Sequence, residues 1–316
     1  MRHLGRELGL ALALALLAGA IALVAPGFFA PGNLRSLALD SLPLLLAATG
    51  MTLVLLAGEI DVSVGAQLAA AGVLAGILAK LGLPIGLVVP CVLAAGVGFG
   101  ALQGLLVARG VPAVVVTLAS LAILRGGLRW GTGGRWIDGL PADFQWFGLG
   151  QTGGQVVGAL GTLALVGAAA LVLRRLHAGR ALLAVGCDPA AARLAGVRVE
   201  RVRVGALAAM GFFAAAAALV SATRYPAIEI EAGAGLELSA IACAVLGGTS
   251  IRGGRGTVLG TLLGVALFGA LGTALVFLGV GAAWERAVQG LVILAALAPE
   301  LLARRWTGGR LRERGT

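Results

Sequence analysis

The chain carries little charge for its length. Only 12% of its 316 residues are charged, whereas 59% are apolar and the mean hydropathy is +1.01. A soluble domain of this size carries charge on about a quarter of its residues. The shortage excludes an ordinary soluble protein and indicates that lipid surrounds most of the surface.

Lysine is almost absent, so the formal net charge of +10 comes from arginine, with Lys80 as the only lysine. The arginines lie between apolar runs and form no basic stripe interleaved with aromatic residues, which argues against nucleic acid as a partner. Arginine between apolar runs is typical of cytoplasmic loops in membrane proteins.

Residues for catalysis and metal binding are equally scarce. Cys91, Cys187 and Cys243 lie far apart, and neither they nor the two histidines have metal-ligand spacing. The phosphate-binding motif G-x-x-x-x-G-K-[ST] is missing, because the only lysine follows Ala79. No G-x-S-x-G or H-E-x-x-H motif occurs. We predict no catalytic residue, metal or cofactor, and any ATP used must be bound by a partner.

Apolar runs fill most of the sequence. A hydrocarbon core about 30 Å thick is crossed by roughly 20 helical residues. We predict an all-α membrane protein with about ten transmembrane segments, some of them short or broken. The longer runs are Leu8–Val24, Leu37–Ala57, Ala66–Leu81, Ile85–Val107, Gln155–Leu173, Val204–Ser221, Thr257–Leu278 and Trp284–Leu302, and the short ones are Ala113–Leu124 and Ser239–Ile251.

The arginines also predict the orientation. They crowd the connection at about 174–203 and the tail at 304–316, whereas Arg125–Gly154 carries fewer arginines, two aspartates and three tryptophans. Because positive charge marks cytoplasmic loops, both termini are predicted in the cytoplasm. An even number of segments likewise requires both termini to lie on the same side of the membrane. The sequence reads as one transmembrane domain, 1–303, followed by a basic cytoplasmic tail, 304–316.

Polar residues break the apolar pattern at Glu59, Asp61 and Ser63, between Gly58 and Gly65. Carboxylates at bilayer depth are expensive and usually face water, a partner or a substrate path. Two interpretations stay open. The residues line a translocation pathway, or they form a tight turn in which Asp61 or Ser63 caps the following helix.

Two further stretches have the same character. The segment Pro112–Leu124 is too short to cross as one straight helix, and Thr117 and Ser120 share one of its faces. Their hydroxyls line a pathway or bond back to their own helix. The stretch 246–257 is rich in glycine around Thr249 and Ser250, which favours a re-entrant or broken helix.

A short cytoplasmic helix is predicted in the arginine-rich loop. Asp188 is an N-cap, Pro189 occupies the first helical position, and Gly196 ends the helix. Such a helix either lies on lipid headgroups or docks with a partner protein.

At these same residues the chain resembles permease subunits of bacterial ABC importers for ribose, xylose, galactose and related solutes. The resemblance runs from about Leu37 to Pro299 and is carried by four ordered motifs. They are Gly50-Met51-Thr52 through Gly65; Pro112, Thr117-Leu118 and Arg125-Gly126; Ala184-Val185-Gly186 with Ala191 to Val197; and Gly247-Gly248-Thr249-Ser250 with Gly253, Gly254, Gly256 and Gly260-Thr261.

The resemblance implies a bacterial inner membrane protein with several partners. These are a cytoplasmic ABC ATPase subunit, a periplasmic or lipid-anchored substrate-binding protein and a second permease, identical or related. It also implies that the helix at 188–196 couples to the ATPase, through Asp188, Pro189, Arg193, Leu194, Gly196 and Arg198. The predicted function is import of a small polar solute, foremost a monosaccharide. The predicted pathway is lined by Glu59, Asp61, Ser63, Thr117, Ser120, Thr249 and Ser250.

Two rival functions remain at this point. An ion-coupled secondary transporter or channel would use Glu59 and Asp61 as a proton relay. A membrane-embedded enzyme would need a nucleophile–base pair or a metal cluster, which the sequence does not offer.

Overall fold

A computed structural model describes residues 2–280 and the helical positions 284, 287, 288, 290 and 291. The predicted tail, 304–316, and the rest of the predicted last segment, Trp284–Leu302, lie outside the described residues. Within 2–280 the chain forms α-helices joined by short loops and two 3₁₀ turns. They are α1 Arg2–Val24, α2 Pro31–Leu56, α3 Val64–Lys80, α4 Ile85–Ala108, α5 Ala113–Thr132, α6 Gly150–Arg175, α7 His177–Cys187, α8 Pro189–Leu194, α9 Val199–Ala222, α10 Leu236–Leu246 and α11 Val258–Phe277.

The prediction of an all-α membrane protein is confirmed. Among the described residues, α2, α4, α5, α6, α9 and α11 are long and apolar enough to cross a membrane, and Gly9–Val24, Val64–Lys80 and Leu236–Leu246 are shorter apolar helices. The one strand-like contact described there is an isolated antiparallel bridge between Ile137 and Ile228. The number of ten segments and the cytoplasmic termini stay predictions.

The prediction that α5 is short is wrong. The helix continues past Leu124 and ends at Thr132, where Gly133 adopts a left-handed conformation with φ 61°. Arg125 does not end it, because its guanidinium donates hydrogen bonds to the carbonyls of Ile230 and Ala232, both at 3.0 Å. Because these carbonyls satisfy the guanidinium inside the protein, the arginine does not have to reach water and the helix can continue past it.

The short segment near Ser239 is confirmed as short, with shifted ends. Helix α10 starts at Leu236 and stops at Leu246, and the glycine-rich stretch that follows is a series of turns. Hence the break falls where the glycines predicted it, although the helix itself begins three residues earlier than Ser239.

The core of the bundle is α9, which packs against α2, α3 and α4. The crossing with α4 is close because small residues face each other. A Cβ on Gly96 would lie 2.4 Å from the Gly211 carbonyl oxygen, and a Cβ on Gly100 would lie 2.2 Å from that of Leu207. In lipid, helices associate through such backbone contact, since apolar burial gives no net drive between them.

This packing predicts the outcome of a matched pair of substitutions on α4. Gly96→Ala forces the two helices apart, because the added methyl meets backbone that cannot rotate away, and overpacking costs about 1–3 kcal/mol. Gly98→Ala adds the same methyl where nothing lies within 4 Å. Thermal unfolding of the purified protein in detergent is expected to shift down for Gly96→Ala alone. Equal melting temperatures would contradict the close crossing.

Candidate functional site

Asp61 is completely buried, in the loop between α2 and α3. Its Oδ1 accepts hydrogen bonds from the backbone N–H of Ser63 at 2.8 Å and from the Ser63 hydroxyl at 2.6 Å. Its Oδ2 accepts from the Gln67 amide at 2.8 Å. A carboxylate without these donors would be too costly to hold away from water.

The capping interpretation of this loop is wrong. Ser63 occupies the N-cap position of α3, but its side chain makes no capping hydrogen bond. Its hydroxyl donates to Asp61 instead, and the Asp61 carboxylate accepts from an N–H that precedes the helix. The loop is therefore shaped around the carboxylate rather than around the end of α3.

Two glutamines complete this cluster, and sequence reasoning missed both. Gln103 on α4 donates from Nε2 to the Ser63 hydroxyl at 2.8 Å, and Gln67 on α3 donates to the same oxygen at 2.9 Å. The Gln67 Oε1 is buried with no hydrogen-bond partner among the described residues. The available signal was an isolated amide inside each apolar run, since a polar side chain at that depth needs a partner. We call Asp61, Ser63, Gln67 and Gln103 the amide–carboxylate cluster.

Glu59 lies in the same loop and pairs with a cation. The Arg203 Nε on α9 lies 2.8 Å from Glu59 Oε1, and the two side chains are 28% and 12% exposed. The N–H direction does not make this contact a well-formed hydrogen bond, so the attraction is chiefly Coulombic. The pair ties the loop after α2 to the beginning of α9.

This ion pair predicts a stability effect with a matched control. Arg203→Ala leaves Glu59 largely buried without its cation, which costs about 1–2 kcal/mol after discounting for the partial exposure of the pair. Arg201→Ala removes an exposed arginine two residues away and is expected to change little. Melting in detergent should fall for Arg203→Ala and recover when Glu59→Gln is added. No recovery in the double variant would show that the pair is not the cause.

Thr117 and Ser120 lie together on the inner face of α5, and both are buried. The Thr117 hydroxyl approaches the Val114 carbonyl at 3.4 Å, which is a weak contact with its own helix. The predicted common face is thus present, and the Thr117 hydroxyl has capacity for a better partner.

Thr249 and Ser250 lie in the turns after α10. The Thr249 side chain is buried and its Oγ1 has no hydrogen-bond partner in the described part of the chain. The Ser250 Oγ accepts from the backbone N–H of Arg252 at 3.2 Å, and the Ser250 N–H donates to the Arg255 carbonyl at 2.8 Å. Ser250 therefore stabilises the turn, whereas Thr249 is left with an unused hydroxyl.

The same turns contact the end of α2 and the end of α7. The Gly254 N–H donates to the Leu56 carbonyl at 3.0 Å. A Cβ on Gly186 would lie 1.8 Å from that carbonyl oxygen, and a Cβ on Gly253 would lie 2.9 Å from the Cα atoms of Gly186 and Gly58. We call Gly58, Gly186, Gly253 and Gly254 the glycine junction. It brings three of the sequence motifs into direct backbone contact.

The predicted short helix is present as α8. The Asp188 Oδ1 accepts from the N–H groups of Ala190 and Ala191 at 2.9 and 3.0 Å, and Pro189 is the first helical residue. Gly196 ends the turn with φ 82°, a conformation that favours glycine. Local capping therefore acts as the sequence predicted.

The exposed face of α8 ends in an apolar residue, Leu194. Leu194 is 92% exposed, whereas Ala192 on the opposite face is buried with Val185 and Val199. Arg193 pairs with Glu200 at 2.5 Å, and Arg198 is exposed. Since α8 follows α7 directly, it is joined to the glycine junction through the Val185–Cys187 end of that helix.

No cluster of three or more His, Cys, Asp or Glu side chains suited to a metal occurs within the described ranges. The seven predicted pathway residues fall into separate places: the loop after α2, the inner face of α5 and the turns after α10.

Comparison with known proteins shows the family. Residues 33–297 match the family described as the permease component of branched-chain amino acid transport systems. The autoinducer 2 import system permease protein of Enterobacter sp. (strain 638) is 37% identical over 98% of this chain and 88% of its own length. The ribose import permease protein of Haemophilus influenzae is 36% identical over 90% of each chain, and that of Escherichia coli K12 is 35% identical over 90% and 91%.

The relatives account both for the four sequence motifs and for the missing phosphate-binding motif. They are import permeases of similar length, and the family match at 33–297 spans the part of the chain that contains all four motifs. Such subunits carry the translocation pathway and leave ATP hydrolysis to another protein. The chain belongs to this permease family and is a multi-pass inner membrane transport subunit of an ABC importer, not an enzyme.

Proposed function

We propose that the chain forms half of the pore through which an ATP-driven importer moves a monosaccharide. The observation that carries the proposal is the match to two ribose import permeases over 90% of this chain. The buried carboxylate and the unpaired hydroxyls of the described bundle support a polar cargo, because a pathway for an apolar solute would need no such polar groups.

The complete importer has three further components in this proposal. A cytoplasmic ABC ATPase binds ATP, a periplasmic or lipid-anchored binding protein delivers the solute, and a second permease copy or a related chain completes the pore. We propose that α8 is the coupling element, with Asp188, Pro189 and Gly196 fixing its shape and Arg193, Leu194 and Arg198 near the ATPase. The exposed Leu194 supports this, because its side chain is not buried within the chain and is available for contact with a partner.

Alternating access is the proposed mechanism. ATP binding closes the partner ATPases, α8 moves with them, and the glycine junction passes the movement to α2 and to the turns before α11. A bundle packed through backbone contact moves as rigid elements, which suits a two-state change in the side to which the pore opens.

The proposed pathway passes the polar residues predicted from the sequence. The first group is Glu59, Asp61 and Ser63 in the loop after α2, where Asp61 and Ser63 belong to the amide–carboxylate cluster. The second is Thr117 and Ser120 on the inner face of α5. The third is Thr249 and Ser250 in the turns after α10. In alternating access such groups are buried in one state and hydrated in the other. Weak contacts suffice, because a solute must leave as well as enter.

An experiment separates this function from an ion-coupled transporter that uses Glu59 and Asp61. Uptake is measured in cells that carry the full importer, with a protonophore and with a hydrolysis-dead partner ATPase. The proposal predicts that the dead ATPase abolishes uptake and that the protonophore leaves the initial rate unchanged while ATP is maintained. The opposite pattern would establish the rival function.

The solute class has its own test. The cognate binding protein is screened by thermal shift against pentoses, hexoses, polyols, nucleosides and branched-chain amino acids. Stabilisation by a monosaccharide, and by no amino acid, is expected. Stabilisation by leucine or valine would replace the sugar assignment without altering the family.

A further inference from the structure

A cavity of about 430 Å³ opens between α3, α9 and the segment 223–235 that follows α9. It lies at the end of α9 remote from α8, and none of the seven predicted pathway residues lines it. Ligand sites for small molecules occupy cavities of roughly 300–1,000 Å³, so the space suits one monosaccharide. Its lining includes Ser221, Tyr225, Glu229, Trp136 and Gly72.

The wall formed by 223–235 is fixed by hydrogen bonds from other elements. The Trp146 N–H donates to the Thr223 carbonyl at 2.8 Å, and Ile137 and Ile228 exchange bonds of 3.0 and 2.9 Å. Arg125 holds the carbonyls of Ile230 and Ala232. A loop held at both ends and in the middle gives a preformed wall, which lowers the entropic cost of binding.

The floor of the cavity is formed by α3, which packs closely against the segment 223–235. Gly72 lines the cavity, and a Cβ there would lie 3.5 Å from the Ile228 side chain. A Cβ on Gly65 would lie 2.1 Å from the Gly233 carbonyl oxygen, so α3 and the segment meet through backbone. Ser63, the N-cap residue of α3, and Gln67 within the helix belong to the amide–carboxylate cluster, so the cluster and the cavity both border α3.

The chemistry of the lining suits a sugar ring. Trp136 and Tyr225 are 57% and 52% exposed, so their rings are available to a ligand, and Arg224 lies 5.6 Å from the Tyr225 ring centroid. Aromatic rings cover the apolar C–H faces of a pyranose or furanose. The exposed Glu229 carboxylate accepts hydrogen bonds from hydroxyl groups, and Ser221 can donate or accept. Aromatic lining with few polar groups is the usual composition of such sites.

We propose that this cavity receives a monosaccharide before it enters the pathway, with Trp136 and Tyr225 stacking on the ring and Glu229 binding its hydroxyls. The inference rests on the proposed function, since it deepens the assignment of the solute. Trp130 is 89% exposed on α5 and does not line the cavity, which makes it a matched aromatic control.

The first experiment uses proteoliposomes that contain the importer and its loaded binding protein. Tyr225→Ala and Trp136→Ala are expected to lower uptake about 3- to 10-fold, since an aromatic contact is worth about 0.5–1.5 kcal/mol. Glu229→Gln is expected to lower uptake as well, because it replaces a carboxylate acceptor by an amide. ATPase stimulation by the loaded binding protein should stay at the wild-type level, and Trp130→Ala should change neither quantity. Parallel loss of uptake and stimulation would overturn the proposal and make this wall a docking surface for the binding protein.

A second experiment measures binding without transport. In the permease–ATPase complex, with Cys91 and Cys187 replaced by alanine, Ala227→Cys places a thiol in the cavity while both rings remain. Ribose, glucose or galactose is expected to slow labelling by a water-soluble thiol reagent, and labelling of Trp130→Cys should not respond. If no sugar protects position 227, the cavity is not the receiving site. Wild-type uptake that depends on nucleotide would then leave the proposed function standing.

Discussion

Leu194→Asp is expected to abolish coupled uptake while the permease remains folded and in the membrane. Leu194 is 92% exposed, so the change removes no internal contact, and the residues that fix α8 are untouched. If the leucine is buried against the partner ATPase, a carboxylate at its place is desolvated without a partner. Burying an unpaired charge in an interface costs several kcal/mol, which corresponds to a loss of more than about 100-fold.

The measurement is ATPase stimulation by the loaded binding protein, together with uptake in proteoliposomes. Leu176→Asp is the control, because Leu176 is a half-exposed leucine of the same loop that lies outside α8. The control should retain most of both activities. Wild-type stimulation and uptake in Leu194→Asp would show that α8 lies on the lipid surface and that coupling occurs elsewhere.

Gly186→Ala is the second change with a large expected effect. The added methyl would lie 1.8 Å from the Leu56 carbonyl oxygen and 2.5 Å from the Gly254 backbone nitrogen. Neither atom can rotate away, so α7 must separate from α2 and the hydrogen bond between Gly254 and Leu56 is lost. We expect uptake to fall more than about 10-fold, with a stability loss of about 1–3 kcal/mol.

The control for this variant is Gly205→Ala on α9, where nothing lies within 4 Å of the added methyl. Uptake, ATPase stimulation and detergent melting are compared for the two variants. A fall in uptake larger than the fall in folded protein supports transmission through the glycine junction. Normal uptake by Gly186→Ala would contradict the proposed route from α8 to α2.

Several features could be predicted because they depend on local sequence. The capped α8 follows from Asp188, Pro189 and Gly196, whose side chain, ring and conformational freedom act within one turn. The break after α10 follows from its glycines in the same way. Length and apolar composition were enough for the long helices.

Other features depend on contacts between distant parts of the chain. The end of α5 was misplaced because Arg125 finds its partners at Ile230 and Ala232, more than 100 residues later. The sequence left open whether Glu59 faces water, a partner or a substrate path, and no local pattern marks Arg203 as its partner. Gln67 and Gln103 were missed because each is a single amide in an apolar run, and only the fold brings them to Asp61.

The glycine junction shows the same limit. Gly58 and the glycines after α10 were recognised as similar breaks, yet the sequence does not show that they touch each other or that Gly186 lies between them. Glycine in an apolar run predicts close approach without naming the surface approached. The partner surface is a tertiary property.

The most direct test of the account is solute accumulation in proteoliposomes that contain this permease, its ATPase and its binding protein, with ATP enclosed on the ATPase side. We predict accumulation of the monosaccharide against its gradient, lost when ATP is replaced by a non-hydrolysable analogue and lost in Leu194→Asp. Equal solute movement with and without hydrolysable ATP would contradict the claim that this chain is the pore of an ATP-driven importer.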